Sequence, residues 1–295
     1  MFTNGLYNNY STENMDISLH SGIPKKYYNL KNKNFSDWEI PPWELYIFQD
    51  RKLGEGTFSN VYLAKWRETF VVAKVIKEEI LEFKKTLFLR EIDIMSKLHH
   101  PNIVQFLGFI DDPFIIIMEY IPNKNLQDSL PLLNKKNKIV IMNDILKGLT
   151  YLHNRRPYSL IHRDIKPTNI LLTNSKVAKI TDFGLSKFYN LTQSNSNNNL
   201  CEFYDQEMTG NVGTERYMAP EIRKEKEYKN KIDIFSCGVL FYELFENKKY
   251  VPMTENKWYR TPRKIRDFIK NHMLNENPEN RLDAHTLLKI LNNTI

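Results

Sequence analysis

The feature that most constrains this chain of 295 residues is a pair of polar motifs, HRDIKPTN at 162–169 and DFG at 182–184. The first motif places His, Arg, Asp, Lys and Asn within eight positions, which is too many polar groups for a core strand. A short strand-like stretch leads into the second motif, so Asn169 and Asp182 straddle a hairpin. Two such oxygen donors suit Mg²⁺, which takes few protein ligands together with phosphate oxygens and water. Asp164 lies five positions before Asn169, within reach of an incoming hydroxyl.

A glycine-rich motif, GEGTFSNV at 54–61, lies between two strand-like segments. Gly54 and Gly56 would let a turn lie close over phosphates, with backbone N–H groups facing the anion. Taken alone, the motif indicates equally well a hairpin that needs two glycines. Ser59 stands where a third glycine is usual, and its small side chain still permits close approach.

Lys74 follows in VVAKVI, on an apolar strand twenty residues after Gly54. A lysine there needs an anionic partner, because burying an unpaired ammonium is costly. Glu91 in LREIDIM is the natural partner, since it shares a helical face with several apolar residues. Two alternatives stay open, in which Lys74 reaches solvent at a strand edge or Glu91 is an exposed helix charge. Lys77 is an alternative partner for Glu91, but its spacings from Gly54 and to Glu91 are less favourable than those of Lys74.

Strand-like and helix-like segments are unevenly distributed along the chain. From Trp43 to about Met118, β-branched and aromatic clusters broken by Gly, Pro and Asp predict strands, interrupted by one helix over 79–98. The predicted strands cover 45–48, 61–65, 70–76, 103–109 and 114–118. After Pro122, apolar residues three and four apart predict helices over 139–153, 231–245 and 265–274. We therefore expect an α+β fold in which a small β-rich lobe precedes a larger helical lobe.

Polar segments mark the expected domain limits. Residues 1–37 are rich in Asn, Ser and Tyr without sustained periodicity, which predicts a flexible extension. The stretch TQSNSNNNL at 192–200 is low in complexity and predicts a mobile loop insertion. One domain is expected over 38–295, with an N-terminal lobe to about 118, a hinge at 119–123 and a C-terminal lobe over 124–295.

Composition argues against several classes of protein. Cys201 and Cys237 lie in unlike contexts, so we expect no disulfide and a reducing compartment. No apolar run approaches the roughly 20 residues of a membrane span, and the first residues show neither a signal pattern nor a myristoylation glycine. These features predict a cytoplasmic location without membrane insertion. The net charge of +7 comes from scattered bases, often beside acids, which favours a solvated surface over nucleic-acid binding.

Together these motifs resemble those of eukaryotic protein kinases, in the same order, from about Trp43 to Arg281. The matching parts include the glycine-rich loop, the strand lysine, the helix glutamate, HRD, DFG and APE at 219–221. Lys166, two positions after Asp164, resembles the serine/threonine class. The segments LGEGTFSNVYLAKWRETFVVAKVI and LHHPNIVQFLGF are similar to the tyrosine-kinase-like group, which includes relatives of the Raf and mixed-lineage kinases.

The resemblance implies a catalytic role for each matching residue. Lys74, held by Glu91, would bind the α- and β-phosphates of ATP. Asp164 would be the catalytic base for a protein Ser or Thr hydroxyl, and Lys166 would neutralise charge on the γ-phosphoryl group. The implied catalytic set is Lys74, Glu91, Asp164, Lys166 and Asn169. The implied metal ligands are Asn169 and Asp182, with Mn²⁺ as an alternative to Mg²⁺.

The resemblance also implies a nucleotide site. Its expected residues are Leu53, Gly54, Gly56, Phe58, Ser59, Val61, Val72, Lys74, Glu119, Ile121 and Leu171. Met118 would be the gatekeeper at the back of this site. Val72 stands where the family has alanine, so the adenine would be held more tightly.

Regulation and substrate docking are expected to follow the family, with one departure. Met95, Phe106, His162 and Phe183 match the stacked residues that couple the two lobes, and Glu221 would pair with Arg281. Autophosphorylation would fall in the activation segment, where the candidates are Thr192, Ser194, Ser196, Tyr204 and Thr209. The chain between 245 and 262 is short for the region that docks substrates, which predicts an unusual docking surface.

Three other functions compete with a protein kinase. A pseudokinase scaffold should have lost a key residue, whereas Lys74, Glu91, Asp164, Asn169 and Asp182 are all present. A small-molecule kinase is disfavoured by the APE-containing segment that binds peptides. A nucleic-acid-binding protein would need a clustered basic face, which the sequence does not show.

Overall fold

The computed structural model describes residues 36–56, 58–77, 81–123, 125–190, 215–225, 228–252 and 254–294. The predicted extension up to residue 35 and the loop insertion at 192–200 lie outside these residues, as do the candidate phosphorylation sites and Cys201. The cysteine among the described residues, Cys237, is buried and reduced.

The first part of the described chain forms a five-stranded antiparallel sheet in the order β1-β2-β3-β5-β4. Its strands are β1 (Leu45–Glu55), β2 (Ser59–Trp66), β3 (Thr69–Ile76), β4 (Phe106–Asp111) and β5 (Phe114–Glu119). Successive side chains of a strand point to opposite faces. Val72 and Lys74 therefore share one face of β3, while Val71 is buried on the other. Helix α1 (Leu81–Met95) places Phe88 in the same core cluster as Val72.

Two strands differ from the prediction. Strand β1 continues past residue 48 to Glu55, where its polar side chains face solvent at the edge of the sheet. Strand β4 begins at Phe106 instead of residue 103, because Ile103 bridges Ile180 in the second part of the chain. The N–H of Val104 also donates to the Ile180 carbonyl at 2.9 Å. The residues before β4 are therefore bonded to the other lobe.

The second part of the described chain is mainly helical. Its helices are α2 (Leu126–Ser129), α3 (Lys135–His153), α4 (Pro220–Arg223), α5 (Lys231–Glu246), α6 (Arg263–His272) and α7 (Ala284–Thr294). Two small antiparallel sheets pair β6 (Tyr158–Ile161) with β9 (Lys187–Asn190) and β7 (Ile170–Leu172) with β8 (Ala178–Ile180). Helix α5 is buried along nearly its whole length, as expected of a helix that is apolar on all sides.

Helix caps explain two departures from the predicted helices. Helix α3 begins at Lys135 instead of 139, because the Asn134 side chain accepts the N–H of Asn137 and caps its first turn. Helix α7 follows Asp283, whose carboxylate accepts the N–H of Thr286 at 2.9 Å. Both signals are single polar residues, which are weaker than apolar periodicity in a sequence.

The segment before β1 packs along the free edge of β4. The Trp38 ring lies 5.3 Å from the Phe106 ring, measured between centroids, and the Ile40 N–H donates to the Phe109 carbonyl at 2.8 Å. A Cβ atom on Gly108 would lie 2.6 Å from the Trp38 carbonyl oxygen, so this close approach requires glycine. The described domain thus includes Trp38, near which its start is predicted.

The predicted α+β architecture of a small sheet-rich lobe and a larger helical lobe is confirmed. The limits of 38–118, 119–123 and 124–295 for the lobes and the hinge stay predictions. Among the described residues, no helix combines the length and the apolar character needed to cross a lipid bilayer.

Candidate active site

Lys74 on β3 and Glu91 on α1 form a buried ion pair. Their Nζ and Oε1 atoms are 2.6 Å apart, and the two side chains are 13% and 7% exposed. The Lys74 Nζ also lies 3.2 Å from Oδ1 of Asp182. Burial disfavours the charged form of Lys74, but the carboxylates of Glu91 and Asp182 outweigh this effect and raise its pKa. Lys74 is therefore a cation that links β3, α1 and the DFG motif.

Lys77, the alternative lysine, contacts a different carboxylate. Its Nζ lies 3.1 Å from Oε1 of Glu55, within the glycine-rich turn, and its N–H donates to the Phe58 carbonyl at 3.0 Å. The geometry thus favours Lys74 as the partner of Glu91. Because both members of that pair are nearly buried, it also excludes a solvent-reaching Lys74 and an exposed Glu91.

The HRD motif places Asp164 at the centre of a compact polar cluster. The Lys166 Nζ lies 2.7 Å from Oδ2 of Asp164, and the Asn169 amide donates to the same oxygen at 2.8 Å. Asn169 also donates to the Asp164 carbonyl at 2.9 Å. This places the amide nitrogen of Asn169 toward Asp164 and leaves its amide oxygen as a ligand for a cation.

Asp233 on α5 binds the backbone next to this cluster. It was assigned no role from the sequence. It is fully buried and accepts the backbone N–H groups of His162 and Arg163 at 2.8 and 2.9 Å. His153 Nε2 lies 2.9 Å from the same carboxylate. Burial opposes the charged form, but the hydrogen bonds, chiefly that of His153, lower the pKa of Asp233. The sequence does contain a signal for this role. An aspartate at the start of the apolar run DIFSCG would be buried and would need hydrogen-bond partners.

The DFG motif follows β8 and lies next to both clusters. Asp182 has a left-handed backbone, with φ of 67°, and a half-exposed side chain. The Lys74 ammonium is the main reason that the pKa of Asp182 is lowered. Phe183 is fully buried, and its ring lies 5.0 Å from that of His162 in an edge-on arrangement. Both other members of the predicted stack, Met95 and Phe106, are buried in the same core cluster as Phe183.

The residues expected to hold a nucleotide lie on the two lobes. Val72 on β3 is paired with Met118 on β5, and both are buried. The glycine-rich turn closes through the Gly56 N–H, which donates to the Ser59 carbonyl at 2.8 Å. Ser59 is buried, whereas Leu53 and Phe58 are exposed at the edge. The register places Gly54 opposite Val61, and Val61 opposite Lys74. Leu171 belongs to β7, and Ile121 follows β5 and is buried.

Glu119, at the end of β5, is held by two residues that the sequence did not single out. Its Oε1 accepts Lys179 Nζ at 2.6 Å and the Gln105 N–H at 2.7 Å. The Glu119 N–H donates in turn to the Gln105 carbonyl at 3.0 Å. Lys179 lies on β8, so this network connects the predicted hinge to the second lobe.

The oxygen donors of the site fit a divalent cation that is bound together with phosphate. Asn169 and Asp182 flank the β7–β8 hairpin, next to Asp164. No group of three or more His, Cys, Asp or Glu residues that could hold a metal occurs in the part of the chain that the structure describes. Magnesium needs no such cage, because phosphate oxygens and water complete its octahedron.

Comparison with known proteins agrees with the fold and the site. The sequence matches the protein kinase domain over residues 47–291. The chain belongs to the protein kinase family.

Several curated relatives are plant kinases from Arabidopsis thaliana. The serine/threonine-protein kinase VIK is 37% identical over 83% of this chain and 53% of its own length. The serine/threonine-protein kinase CTR1 is 33% identical over 70% of the chain and 25% of its own length. The serine/threonine/tyrosine-protein kinase HT1 is 32% identical over 73% and 56%. The chain thus spans about half or less of these relatives, and the predicted resemblance to tyrosine-kinase-like serine/threonine kinases is confirmed.

Proposed function

We propose that the chain is a serine/threonine protein kinase, which transfers the γ-phosphoryl group of ATP to Ser and Thr hydroxyls of proteins. The observation that carries this proposal is the contact of one ammonium, that of Lys74, with both Glu91 and Asp182. This contact joins a strand, a helix and the DFG motif into one site. A pseudokinase scaffold would have no need to keep all the charged groups of that site in place.

The proposed nucleotide site uses residues from both lobes. Lys74 would bind the α- and β-phosphates, and the glycine-rich turn would cover them with backbone N–H groups. The adenine-binding residues would be Leu53, Val61, Val72, Leu171 and the backbone at Glu119 and Ile121. Asn169 and Asp182 would hold the metal ion, which supplies charge neutralisation on the phosphate oxygens when it is bound.

The remaining residues of the site would act on the protein substrate. Asp164 would orient the hydroxyl and take its proton, and Lys166 would neutralise charge on the γ-phosphoryl group. The loose transition state needs little covalent assistance, so positioning and electrostatics dominate. A turnover of about 1–100 per second would correspond to a barrier of roughly 15–17 kcal/mol.

Phosphate transfer from labelled ATP with Mg²⁺ tests the proposal directly. Basic and acidic generic protein substrates would be compared, and the modified residues identified. We expect phosphoserine and phosphothreonine from the wild-type chain and almost none from Asp182→Ala. ATP binding without transfer to any protein would contradict the proposal and support a scaffold. Phosphotyrosine alone would contradict the assigned residue class.

Lys74 and Lys77 provide a matched pair of variants. Lys74→Met should lower kcat/KM several hundred-fold, since loss of one well-placed charge costs about 3–4 kcal/mol in such a site. Lys77→Met removes the same charge from the residue that follows β3, where the ammonium lies 3.1 Å from Glu55 of the turn, and it should cost less than about tenfold. Steady-state kinetics on both variants show which of the two lysines binds phosphate. Melting temperatures check that both variants are folded. Equal losses would exclude Lys74 as the phosphate-binding lysine.

Three further assignments belong to this proposal. The two lobes would divide at a hinge over 119–123, the chain would autophosphorylate within the activation segment, and it would be located in the cytoplasm. Mass spectrometry of the chain after incubation with ATP tests the second assignment.

A further inference from the structure

Lys138, near the start of α3, is a buried lysine that forms no ion pair with a carboxylate of the described residues. The whole residue is only 8% exposed. Among the described residues its ammonium contacts Asn247 Oδ1 at 3.4 Å and lies 5.7 Å from the centroid of the Phe245 ring. Burial and the nearby Arg260 guanidinium lower the pKa of Lys138, and the Glu246 carboxylate opposes them in part. The carboxylate of Glu246 is bonded to the loop backbone, so the buried ammonium contacts only an amide oxygen and a ring directly and would be stabilised by a further anion.

The loop after α5 brings further cations to the same place. Glu246, the last residue of α5, is buried and accepts the backbone N–H groups of Tyr259, Arg260 and Thr261. Its carboxylate therefore holds the loop and is turned away from solvent. Tyr259 is 68% exposed, and the Lys248 ammonium lies 5.0 Å from the centroid of its ring. An exposed aromatic side chain thus lies among basic groups.

The chain that follows α5 carries more basic than acidic residues. Between residues 246 and 267 it has seven basic and three acidic residues; Glu246 is bonded to the loop, and Asp267 pairs with Arg263 and Arg266. The first turns of α3 and α6 contain no acidic residue and start with the pairs Lys135–Lys136 and Arg263–Lys264. Cations at a helix N-terminus are unfavourable for the helix itself. Helix stability therefore does not account for this arrangement of charge.

The same loop is bonded to the segment that precedes α4. Glu243 on α5 accepts the Tyr217 hydroxyl at 2.6 Å and the Tyr250 N–H at 2.9 Å. Tyr217 lies two positions before the APE motif, which is part of the segment expected to bind peptides. A protein bound at that segment would therefore lie beside the loop.

We propose that Lys138, Asn247, Lys248, Tyr259 and Arg260 form a basic docking surface for an acidic segment of the protein substrate. Glutamate or aspartate side chains would give Lys138 an ion-pair partner and would pair with the exposed Lys248 and Arg260. An apolar side chain of the same segment would cover Tyr259. The role of this surface in substrate recognition rests on the proposed function, whereas its binding of an acidic segment does not.

Fluorescence anisotropy measures this binding without any need for catalysis. The probe is a short labelled peptide of glutamates around one tryptophan, titrated with the full chain at low salt. We expect saturable binding that weakens as salt is added. Arg260→Glu should weaken it at least about tenfold, whereas Arg51→Glu, the same charge change on β1 of the other lobe, should not. Equal affinities of these two variants for the probe would overturn the proposal.

Lys138→Met separates a binding role from a structural one. Methionine keeps most of the buried volume and removes the buried charge, so the melting temperature should be no lower than that of the wild type. The affinity for the acidic peptide should still fall about tenfold or more. A variant that binds the peptide as tightly as the wild type would exclude Lys138 from the surface.

Two further results distinguish this proposal from others. A serine peptide with a distal glutamate tail should have a KM at least about tenfold lower than the untailed peptide, and Arg260→Glu should remove that difference. An RNA oligonucleotide of equal charge that displaces the peptide and binds more tightly would overturn the proposal in favour of a nucleic-acid surface. Peptide binding without phosphorylation of any substrate would leave the docking surface standing and contradict the proposed enzyme.

Discussion

Asp164→Asn should lower kcat about a thousand-fold or more while the chain stays folded and still binds Mg²⁺ and ATP. The substitution preserves the shape of the side chain but removes the proton acceptor, and general-base catalysis contributes about 10²–10⁴-fold. A thousand-fold loss corresponds to about 4 kcal/mol of transition-state stabilisation. Single-turnover transfer from labelled ATP, together with the shift of the melting temperature on adding Mg²⁺ and ATP, measures both properties.

A second buried aspartate of the same lobe is the control for this variant. Asp144 on α3 is as little exposed as Asp164, at 7%, but it accepts the N–H of Ala178 at 3.1 Å and none of its described contacts involves Asp164, Lys166 or Asn169. Asp144→Asn keeps an oxygen acceptor and should change kcat less than about threefold. A near-wild-type kcat for folded Asp164→Asn would exclude Asp164 as the base.

Arg281→Met should lower the free energy of unfolding by about 3–5 kcal/mol, because it leaves a buried carboxylate without its partner. The Arg281 guanidinium is almost fully buried and binds both carboxylate oxygens of Glu221, at 2.6 and 2.8 Å. It also donates to the Asn275 carbonyl at 2.7 Å. This pairing of Glu221 with Arg281, predicted from the resemblance, is confirmed. Urea unfolding measures the change in free energy.

Two comparisons make this stability prediction specific. Lys97, in the turn after α1, and Asp93 on α1 form an equally short exposed pair of 2.6 Å, and Lys97→Met should cost less than about 0.5 kcal/mol. The double variant Arg281→Met with Glu221→Met removes both buried charges and should be more stable than Arg281→Met alone. If the buried and the surface variants lost equal stability, the Glu221–Arg281 pair would have no special structural role.

The sequence by itself determined the family, the order of the two lobes and the identity of the charged residues of the site. HRDIKPTN, DFG and APE are contiguous motifs, so their chemistry and order can be read without knowledge of contacts. The long helices were also predictable, because an apolar face repeats every three to four residues in α3 and alternation marks the strands.

Only the tertiary structure decided which residues meet across long separations in the chain. It showed that Glu91 pairs with Lys74 and that Asp233 holds the backbone of the HRD motif. Residues 103–104 proved to be bonded to β8, which periodicity within a segment does not reveal.

The basic docking surface could not be predicted from the order of residues in the sequence. Along the sequence its bases are scattered among polar residues, and their spacing favours an ordinary solvated surface. In the fold, the start of α3 meets the loop after α5, so Lys138 lies against Phe245 and Asn247 near Arg260. Charge density at a surface depends on distances in space, and folding sets those distances through contacts between residues more than a hundred positions apart.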